Sequence, residues 1–151
     1  MAIAIGSDHL GFDMKEEIKK HLSELKIEFK DFGTYSHDPV DYPDVALEVA
    51  EAIARREFSR GILICGTGIG MVICANKVPG VRAAQCHDVY SGERARKSNN
   101  AQIITMGAQV IGLEAAKKIL DAWLNSEFQG GRSARKVEKI NRIDEKYRKH
   151  K

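Results

Sequence analysis

The chain has 151 residues, of which 43% are hydrophobic and 30% charged, and its formal net charge is +3. This composition is that of an ordinary globular protein and predicts one domain over residues 1–151. No apolar run reaches the roughly 18 residues that a membrane-spanning helix needs, and we expect no signal peptide before the first strand. Three cysteines without a C-x-x-C pair indicate a reduced, cytoplasmic protein without structural zinc.

Strand and helix patterns alternate along the chain. Short segments typical of strands occur at five places, residues 2–6, 27–32, 61–64, 81–86 and 102–106. Apolar residues at helical spacing lie between them, for example Met14, Ile18 and Leu22 after the first segment. This order predicts an α/β, Rossmann-like three-layer fold, in which a five-stranded parallel sheet is covered by helices on both faces.

The last segment, residues 132–151, contains nine Lys or Arg and three Asp or Glu. A basic helix can bind nucleic acid, but acidic residues interrupt this one and no aromatic platform accompanies it. Its apolar residues Val137, Ile140 and Tyr147 recur at near-heptad spacing and predict a packing face. We therefore expect a C-terminal helix in an oligomer interface, and no nucleic-acid partner.

The most informative stretch is ILICGTGIG, residues 62–70. A largely β-branched strand ends at Cys65, and Gly66, Gly68 and Gly70 follow at alternate positions. The next residues predict a buried helix, so the glycine turn presents backbone N–H groups to an anion at a helix N-terminus. Such a position favours the thiolate form of a cysteine. Cys65 is therefore a candidate catalytic base or nucleophile; the alternative is an ordinary buried cysteine.

Several polar side chains are predicted to meet at one edge of the sheet. Ligands of parallel α/β sheets bind beyond the carboxyl ends of the strands. The polar residues that follow three of these ends are Asp8, His9, Cys65, Thr67, His87 and Asp88. The loop at residues 33–43, which contains Tyr42, has the length of a binding loop. We expect these residues to converge on one site.

Two other classes of protein use a glycine-rich turn after a strand. A dinucleotide-binding module needs G-x-G-x-x-G, whereas the turn here reads G-x-G-x-G. A cysteine phosphatase needs an arginine about six residues after its cysteine, where this chain has Met71. Both alternatives are therefore disfavoured.

Five segments together carry a resemblance to a known family. They are SDH at 7–9, DYP at 41–43, ILICGTGIG at 62–70, ANKVPGVRAA at 75–84 and EFQGGR at 127–132. In combination they resemble the type B ribose-5-phosphate isomerases and the related galactose-6-phosphate isomerases. The resemblance implies a metal-independent isomerase without a cofactor, which interconverts an aldose phosphate and a ketose phosphate through an enediolate. It also implies a homodimer or a dimer of dimers, with active sites completed across the subunit interface.

The resemblance also implies which residues do the chemistry. Cys65 transfers the proton, and Thr67 orients the thiol or the developing oxyanion. Backbone N–H groups of the turn bind the oxyanion, and the residues concerned are Gly66, Gly68, Ile69 and Gly70.

Other residues match family positions that hold the substrate. The positions for the sugar hydroxyls and the carbonyl group correspond to Asp8, Tyr42 and Asn99. The positions for the phosphate correspond to His9, Arg132 and Lys136, and the last two are expected to come from a neighbouring subunit.

Four positions of the substrate site depart from the family pattern. Ser98 stands where ribose-5-phosphate isomerases of this type commonly carry the histidine that opens the furanose ring, and serine has no nitrogen that titrates near pH 7. Gln109 and Lys136 replace arginines of the phosphate site, and Ser133 replaces a histidine. We still count Ser98 and Gln109 among the predicted substrate-binding residues.

The run SNNAQIITMG, residues 98–107, resembles a subgroup associated with erythrulose and erythrose 4-phosphate. A tetrose with a phosphate on O4 forms no furanose ring, so it needs no ring-opening histidine. The resembled family as a whole favours the pentose. The prediction is a ribose-5-phosphate isomerase, and the alternative is an isomerase of four-carbon sugar phosphates.

Overall fold

The computed structural model describes residues 2–148, which contain one parallel sheet of five strands and six helices. The strands are β1 (Ile3–Ser7), β2 (Phe29–Asp31), β3 (Gly61–Cys65), β4 (Ala83–Gln85) and β5 (Ile103–Gly107). They lie in the order β2-β1-β3-β5-β4, and every neighbouring pair is parallel. β3 is therefore the central strand, as expected for a segment that is apolar throughout.

Helices cover both faces of the sheet, which confirms the predicted Rossmann-like three-layer fold. They are α1 (Phe12–Glu24), α2 (Tyr42–Ala54), α3 (Ile69–Asn76), α4 (Val89–Lys97), α5 (Leu113–Leu124) and α6 (Arg132–Arg148). α2 and α3 pack on one face, and α1, α4 and α5 pack on the other. Among residues 2–148, no helix combines the length and the apolar character that crossing a membrane requires.

The register of β3 decides which layer receives the cysteine. Ile62 and Ile64 belong to the core beneath α1, α4 and α5. Leu63 and Cys65 belong to the core beneath α2 and α3, because side chains alternate along a strand. Cys65 thus lies at the carboxyl end of the central strand, on the face where α3 begins.

Several predicted bounds are wrong by a few residues. The strands predicted at 27–32 and 81–86 shorten to Phe29–Asp31 and Ala83–Gln85, since each is an edge strand with one neighbour. The loop predicted at 33–43 ends earlier, because Tyr42 and Pro43 form the first turn of α2, where proline is well tolerated.

Most of the packing face predicted for α6 is exposed in the single subunit, so its place in an oligomer interface stays a prediction. Val137 is the buried residue of this helix, while Ile140, Ile143 and Tyr147 are exposed by 41%, 60% and 72%. Polar contacts hold the helix instead, since Asp144 Oδ2 accepts a hydrogen bond from the Gly80 N–H at 2.8 Å. The apolar side of α6 is left uncovered in the described chain.

A buried lysine stabilises the edge of the sheet that β2 forms. Lys15 of α1 is fully buried, and its Nζ lies 2.7 Å from Asp31 Oδ2 at the end of β2. Lys19 Nζ contacts the same oxygen at 2.9 Å. Burial alone raises the pKa of Asp31, but the hydrogen bonds from Lys15 and Lys19 outweigh it and lower the pKa. Asp31 also accepts from the Gly33 N–H at 2.8 Å, which anchors the loop leading to α2.

Candidate active site

Cys65 is held at the start of the glycine turn by a backbone amide. Its side chain is buried, and the Gly68 N–H donates to Cys65 Sγ at 3.1 Å. An N–H donor at this distance stabilises negative charge on the sulfur. Gly68 has φ +78°, and a Cβ placed there would lie 2.9 Å from the backbone carbon of Met106, so only glycine fits. The turn therefore brings an amide to the sulfur by a conformation that other residues avoid.

The first turn of α3 lies where the sequence predicts an anion site. Thr67 Oγ1 accepts from the Ile69 N–H at 3.2 Å. Within residues 2–148, the amides of Thr67 and Gly70 donate to no acceptor. Both N–H groups are thus available to a ligand at the positive end of the helix dipole. Sequence reasoning placed Ile69 and Gly70 in the turn, whereas both belong to the helix, which begins at Ile69.

The end of β5 forms the support beneath this turn. The Ala108 N–H donates to the Cys65 carbonyl at 2.9 Å, and the Gln109 N–H donates to the Gly66 carbonyl at 3.0 Å. A Cβ on Gly66 would lie 2.9 Å from Gln109 Oε1, so the Gln109 side chain covers the turn. Gln109 therefore lies against Gly66 of the turn, and its role in binding substrate stays a prediction.

His87 completes this support, although sequence reasoning assigned it no role beyond its place at a strand end. Its Nε2 accepts a hydrogen bond from the Gly107 N–H at 2.9 Å. β4 ends at Gln85, so the ring nitrogen takes the place of a backbone carbonyl that a longer strand supplies to its neighbour. Gly107 in turn packs against the backbone of Thr67. The sequence signal that could have indicated this role of His87 is a short edge strand followed directly by a histidine.

Asp8 and His9 lie at the same edge, after β1. Asp8 is buried, its N–H donates to the Ile64 carbonyl at 3.2 Å, and its Oδ1 accepts from the Gly11 N–H at 3.0 Å. His9 Nδ1 accepts from the Val40 N–H at 3.2 Å. In the neutral ring this contact leaves the proton on Nε2, which can donate to a ligand.

Tyr42 reaches the turn from α2. A Cβ on Gly70 would collide with the Tyr42 ring, so the ring lies directly against the first turn of α3. Tyr42 remains 39% exposed, which leaves part of it open to a ligand. The prediction placed Tyr42 in a loop, but the first turn of a helix holds it more firmly.

Four predicted substrate residues are not brought to the turn. Ser98 Oγ accepts from Arg94 Nε at 2.8 Å, and Asn99 is exposed. Arg132 and Lys136 are exposed in the first turns of α6. In the described part of the chain, no hydrogen bond or ion pair joins any of these four residues to the turn. Their assignment to the site stays a prediction.

A buried thiol lies beside open amides at the carboxyl edge of a parallel α/β sheet, which is where ligands of such sheets bind. The model of one family, described as Ribose/Galactose Isomerase, matches residues 3–140. The chain belongs to the ribose/galactose isomerase family.

Curated relatives include proteins with two different names. The chain is 54% identical over 148 residues to "Ribose-5-P isomerase B" of Listeria innocua, which covers 98% of this chain and 100% of that protein. It is 56% identical over 144 residues to "D-erythrulose-4-phosphate isomerase" of Pectobacterium atrosepticum, which covers 93% of each. The family is common to both relatives, but their named substrates differ.

Solved structures agree with the family. A ribose-5-phosphate isomerase B of Clostridium thermocellum superposes with a TM-score of 0.95 at 51% identity, covering 97% of this chain and 99% of that one. An isomerase B of Mycoplasma genitalium with bound ribulose 5-phosphate superposes with a TM-score of 0.90 at 36% identity, covering 99% and 97%.

Proposed function

We propose that this isomerase interconverts ribose 5-phosphate and ribulose 5-phosphate, with Cys65 as the base. The observation that carries the proposal is the buried Cys65 sulfur, which receives the Gly68 N–H at 3.1 Å beside the open end of α3. A proton acceptor and amides that hold an oxyanion are the two requirements of an enediolate reaction.

The reaction moves one proton between neighbouring carbons. The Cys65 thiolate removes the proton from C2 of the open-chain aldose, and the electron pair passes to the carbonyl oxygen to form a cis-enediolate. The amides of Thr67 and Gly70, which have no acceptor within residues 2–148, stabilise the oxygen that becomes negative. The proton of the O2 hydroxyl passes to O1, and the thiol returns its proton to C1, which gives the ketose and restores the thiolate.

The remaining site residues hold the substrate. Asp8, Tyr42 and Asn99 bind sugar hydroxyls and the carbonyl, and Thr67 orients the thiol or the oxyanion. His9, Arg132 and Lys136 bind the phosphate, and Ser98 and Gln109 border the sugar. The support comes from position, since Asp8, Tyr42 and Gln109 all contact the residues around the turn.

The active form is a homo-oligomer in the cytoplasm, a dimer or a dimer of dimers, in which a partner supplies Arg132 and Lys136. The support is the exposure of both cations and of the apolar residues Ile140, Ile143 and Tyr147 on the same helix. Contiguous exposed apolar side chains are typical of surfaces that another subunit covers.

A second substrate is favoured by one observation, the environment of Ser98. Its hydroxyl accepts a hydrogen bond from Arg94 Nε, and no imidazole occupies the position. An enzyme for erythrulose 4-phosphate and erythrose 4-phosphate needs no ring opening. The 56% identical relative named for erythrulose 4-phosphate supports this alternative.

The test compares the two substrates in native enzyme and in Ser98→His, with Ser98→Ala as the matched control. Ketose formation from ribose 5-phosphate and from erythrose 4-phosphate is measured as kcat/KM. A ribose-5-phosphate isomerase turns over the pentose faster. An enzyme of tetrose phosphates prefers erythrose 4-phosphate, and Ser98→His then raises pentose turnover selectively, because the imidazole can open the ring. If the enzyme turns over neither substrate, the proposed function is wrong.

A further inference from the structure

A cavity of about 310 Å³ opens at the amino-terminal edge of the sheet, opposite the Cys65 turn. Its polar lining comes from the chain before β3, the chain before β4, the end of α4 and the chain between α4 and β5. The residues are Arg56, Ser59, Arg82, Arg96, Asn100 and Gln102. All the charged residues of this lining are arginines. The cavity is therefore positively charged and suits an anion.

The arginines of the cavity have donors to spare. Arg82 uses Nε on the Asn100 carbonyl at 3.2 Å and Nη1 on Asn141 Oδ1 at 3.0 Å. Arg96 uses Nη1 on the Ala101 carbonyl at 3.3 Å, but its buried Nε has no hydrogen-bond partner among residues 2–148. A buried N–H without an acceptor is rare and unfavourable. Nη2 of Arg82 and Nη2 of Arg96 make no hydrogen bond within residues 2–148 and are not buried, so both can donate to an anion in the cavity.

The charges around the cavity repel one another. Burial lowers the pKa of Arg96, and the positive charge of Arg60 lowers it further. Two nearby carboxylates have partners outside the cavity: Glu127 Oε1 lies 3.0 Å from Arg60 Nη2, and Asp144 Oδ1 lies 2.8 Å from Arg148 Nε. Glu138 and Glu145 line the adjoining pocket and not this cavity. Arg82 and Arg96 therefore form no ion pair in the described chain, and an added negative charge would relieve their repulsion.

We propose that this cavity is a second anion site, which binds a phosphoryl group through Arg56, Arg82 and Arg96. Guanidinium groups match phosphate oxygens in geometry, and Ser59, Asn100 and Gln102 add neutral donors. The cavity is at the lower end of the sizes that small-molecule sites have, so it accepts inorganic phosphate or a small phosphorylated metabolite.

The cavity adjoins two segments that the proposed function assigns to the substrate, residues 98–99 and α6. Arg96 and Asn100 flank Ser98 and Asn99 in the chain, and Arg82 holds α6 through Asn141. An occupant therefore acts on the segments that the proposed function assigns to the substrate. This consequence rests on the proposed function, whereas binding itself does not.

The experiment measures phosphate binding by calorimetry in a variant that lacks the substrate-site cations, Arg132→Ala with Lys136→Ala. Inorganic phosphate is expected to bind this background. Adding Arg56→Gln is expected to weaken binding at least about tenfold, because a charge-assisted hydrogen bond is lost. Arg56 is exposed, and its side chain makes no hydrogen bond or ion pair within residues 2–148, so this change is expected to leave the fold intact. The matched control is Arg55→Gln, an exposed neighbour that pairs with Glu57 and lies outside the cavity.

A second arm replaces inorganic phosphate by glycerol 3-phosphate. Tighter binding of the ester identifies a phosphorylated metabolite as the ligand, and equal or weaker binding identifies free phosphate. The proposal is overturned if the background variant binds neither compound, or if Arg55→Gln weakens binding as much as Arg56→Gln. Both results are independent of catalysis, so a failure here leaves the proposed function standing.

Discussion

The glycine turn at Cys65 and the helix α6 differ in how completely one subunit builds them. The turn is held on several sides, by the end of β5 and by the rings of His87 and Tyr42. α6 has 17 residues but buries one apolar side chain, Val137, and is otherwise held by polar contacts. The part to which we assign the proton transfer is therefore built within one chain, and the part to which we assign the phosphate is not.

This difference has a physical origin. Proton transfer needs a base and amides fixed to a fraction of an ångström, which a central strand and a tight turn supply. A phosphate needs long cationic side chains, which a surface helix can present. One buried valine contributes only about 1.5–3 kcal/mol, so α6 depends on further contacts for a firm position.

The largest effect is expected from removing the sulfur. Cys65→Ala is expected to lower kcat by at least the roughly 10²–10⁴-fold of general acid–base catalysis, because no other group of the turn accepts a proton. Substrate binding, measured by calorimetry, is expected to remain nearly unchanged. Cys65→Ser serves as the near-isosteric control and is expected to be as inactive. Full activity of Cys65→Ala would transfer the role of base to Asp8 or Asp88.

The next largest effect is expected in α6, the helix to which we assign phosphate binding. Arg132→Ala is expected to raise KM about tenfold or more, because the phosphate loses a charge-assisted hydrogen bond. If the cation crosses the interface, inactive Cys65→Ala subunits mixed with weakened Arg132→Ala subunits recover activity, since a mixed dimer contains one intact site. Lack of recovery in verified mixed dimers would place both residues in one subunit.

A smaller effect is expected at the support of the turn. His87→Leu leaves the Gly107 N–H without its acceptor and is expected to lower kcat about tenfold, since an unsatisfied buried amide costs about 1–3 kcal/mol. His87→Gln, whose side-chain oxygen can accept the same hydrogen bond, is expected to stay within about threefold of native kcat. Equal losses in both variants would show that the accepting atom at position 87 does not position the turn.

The smallest effect concerns the contribution of Asp31, at the end of the edge strand β2, to stability. The pKa of Asp31 is lowered in the folded chain, so its contribution is present above the ordinary aspartate pKa and is lost as pH falls through the folded value. Asp31→Asn is expected to reduce the free energy of unfolding at pH 7 by about 1–2 kcal/mol. Urea unfolding should show the difference from native protein shrinking below about pH 4. A difference that persists at low pH would assign it to packing.

Most of the fold could be predicted because it depends on local patterns. The apolar run of β3 and the spacing of Met14, Ile18 and Leu22 each reflect the period of one element, which neighbouring residues in the chain define. The bounds of β2 and β4 could not be predicted, because an edge strand ends where its single neighbour stops pairing with it.

The candidate site likewise has one part that local patterns predict and another that depends on tertiary packing. The sequence by itself determined that Cys65 ends a buried strand before a glycine turn and a helix, since three short-range patterns coincide there. Only the tertiary structure decided that His87 supports Gly107, that the Tyr42 ring covers Gly70, and that Arg82 and Arg96 share a cavity. These contacts join residues far apart in the chain, and their geometry depends on how strands and helices pack, which no local period records.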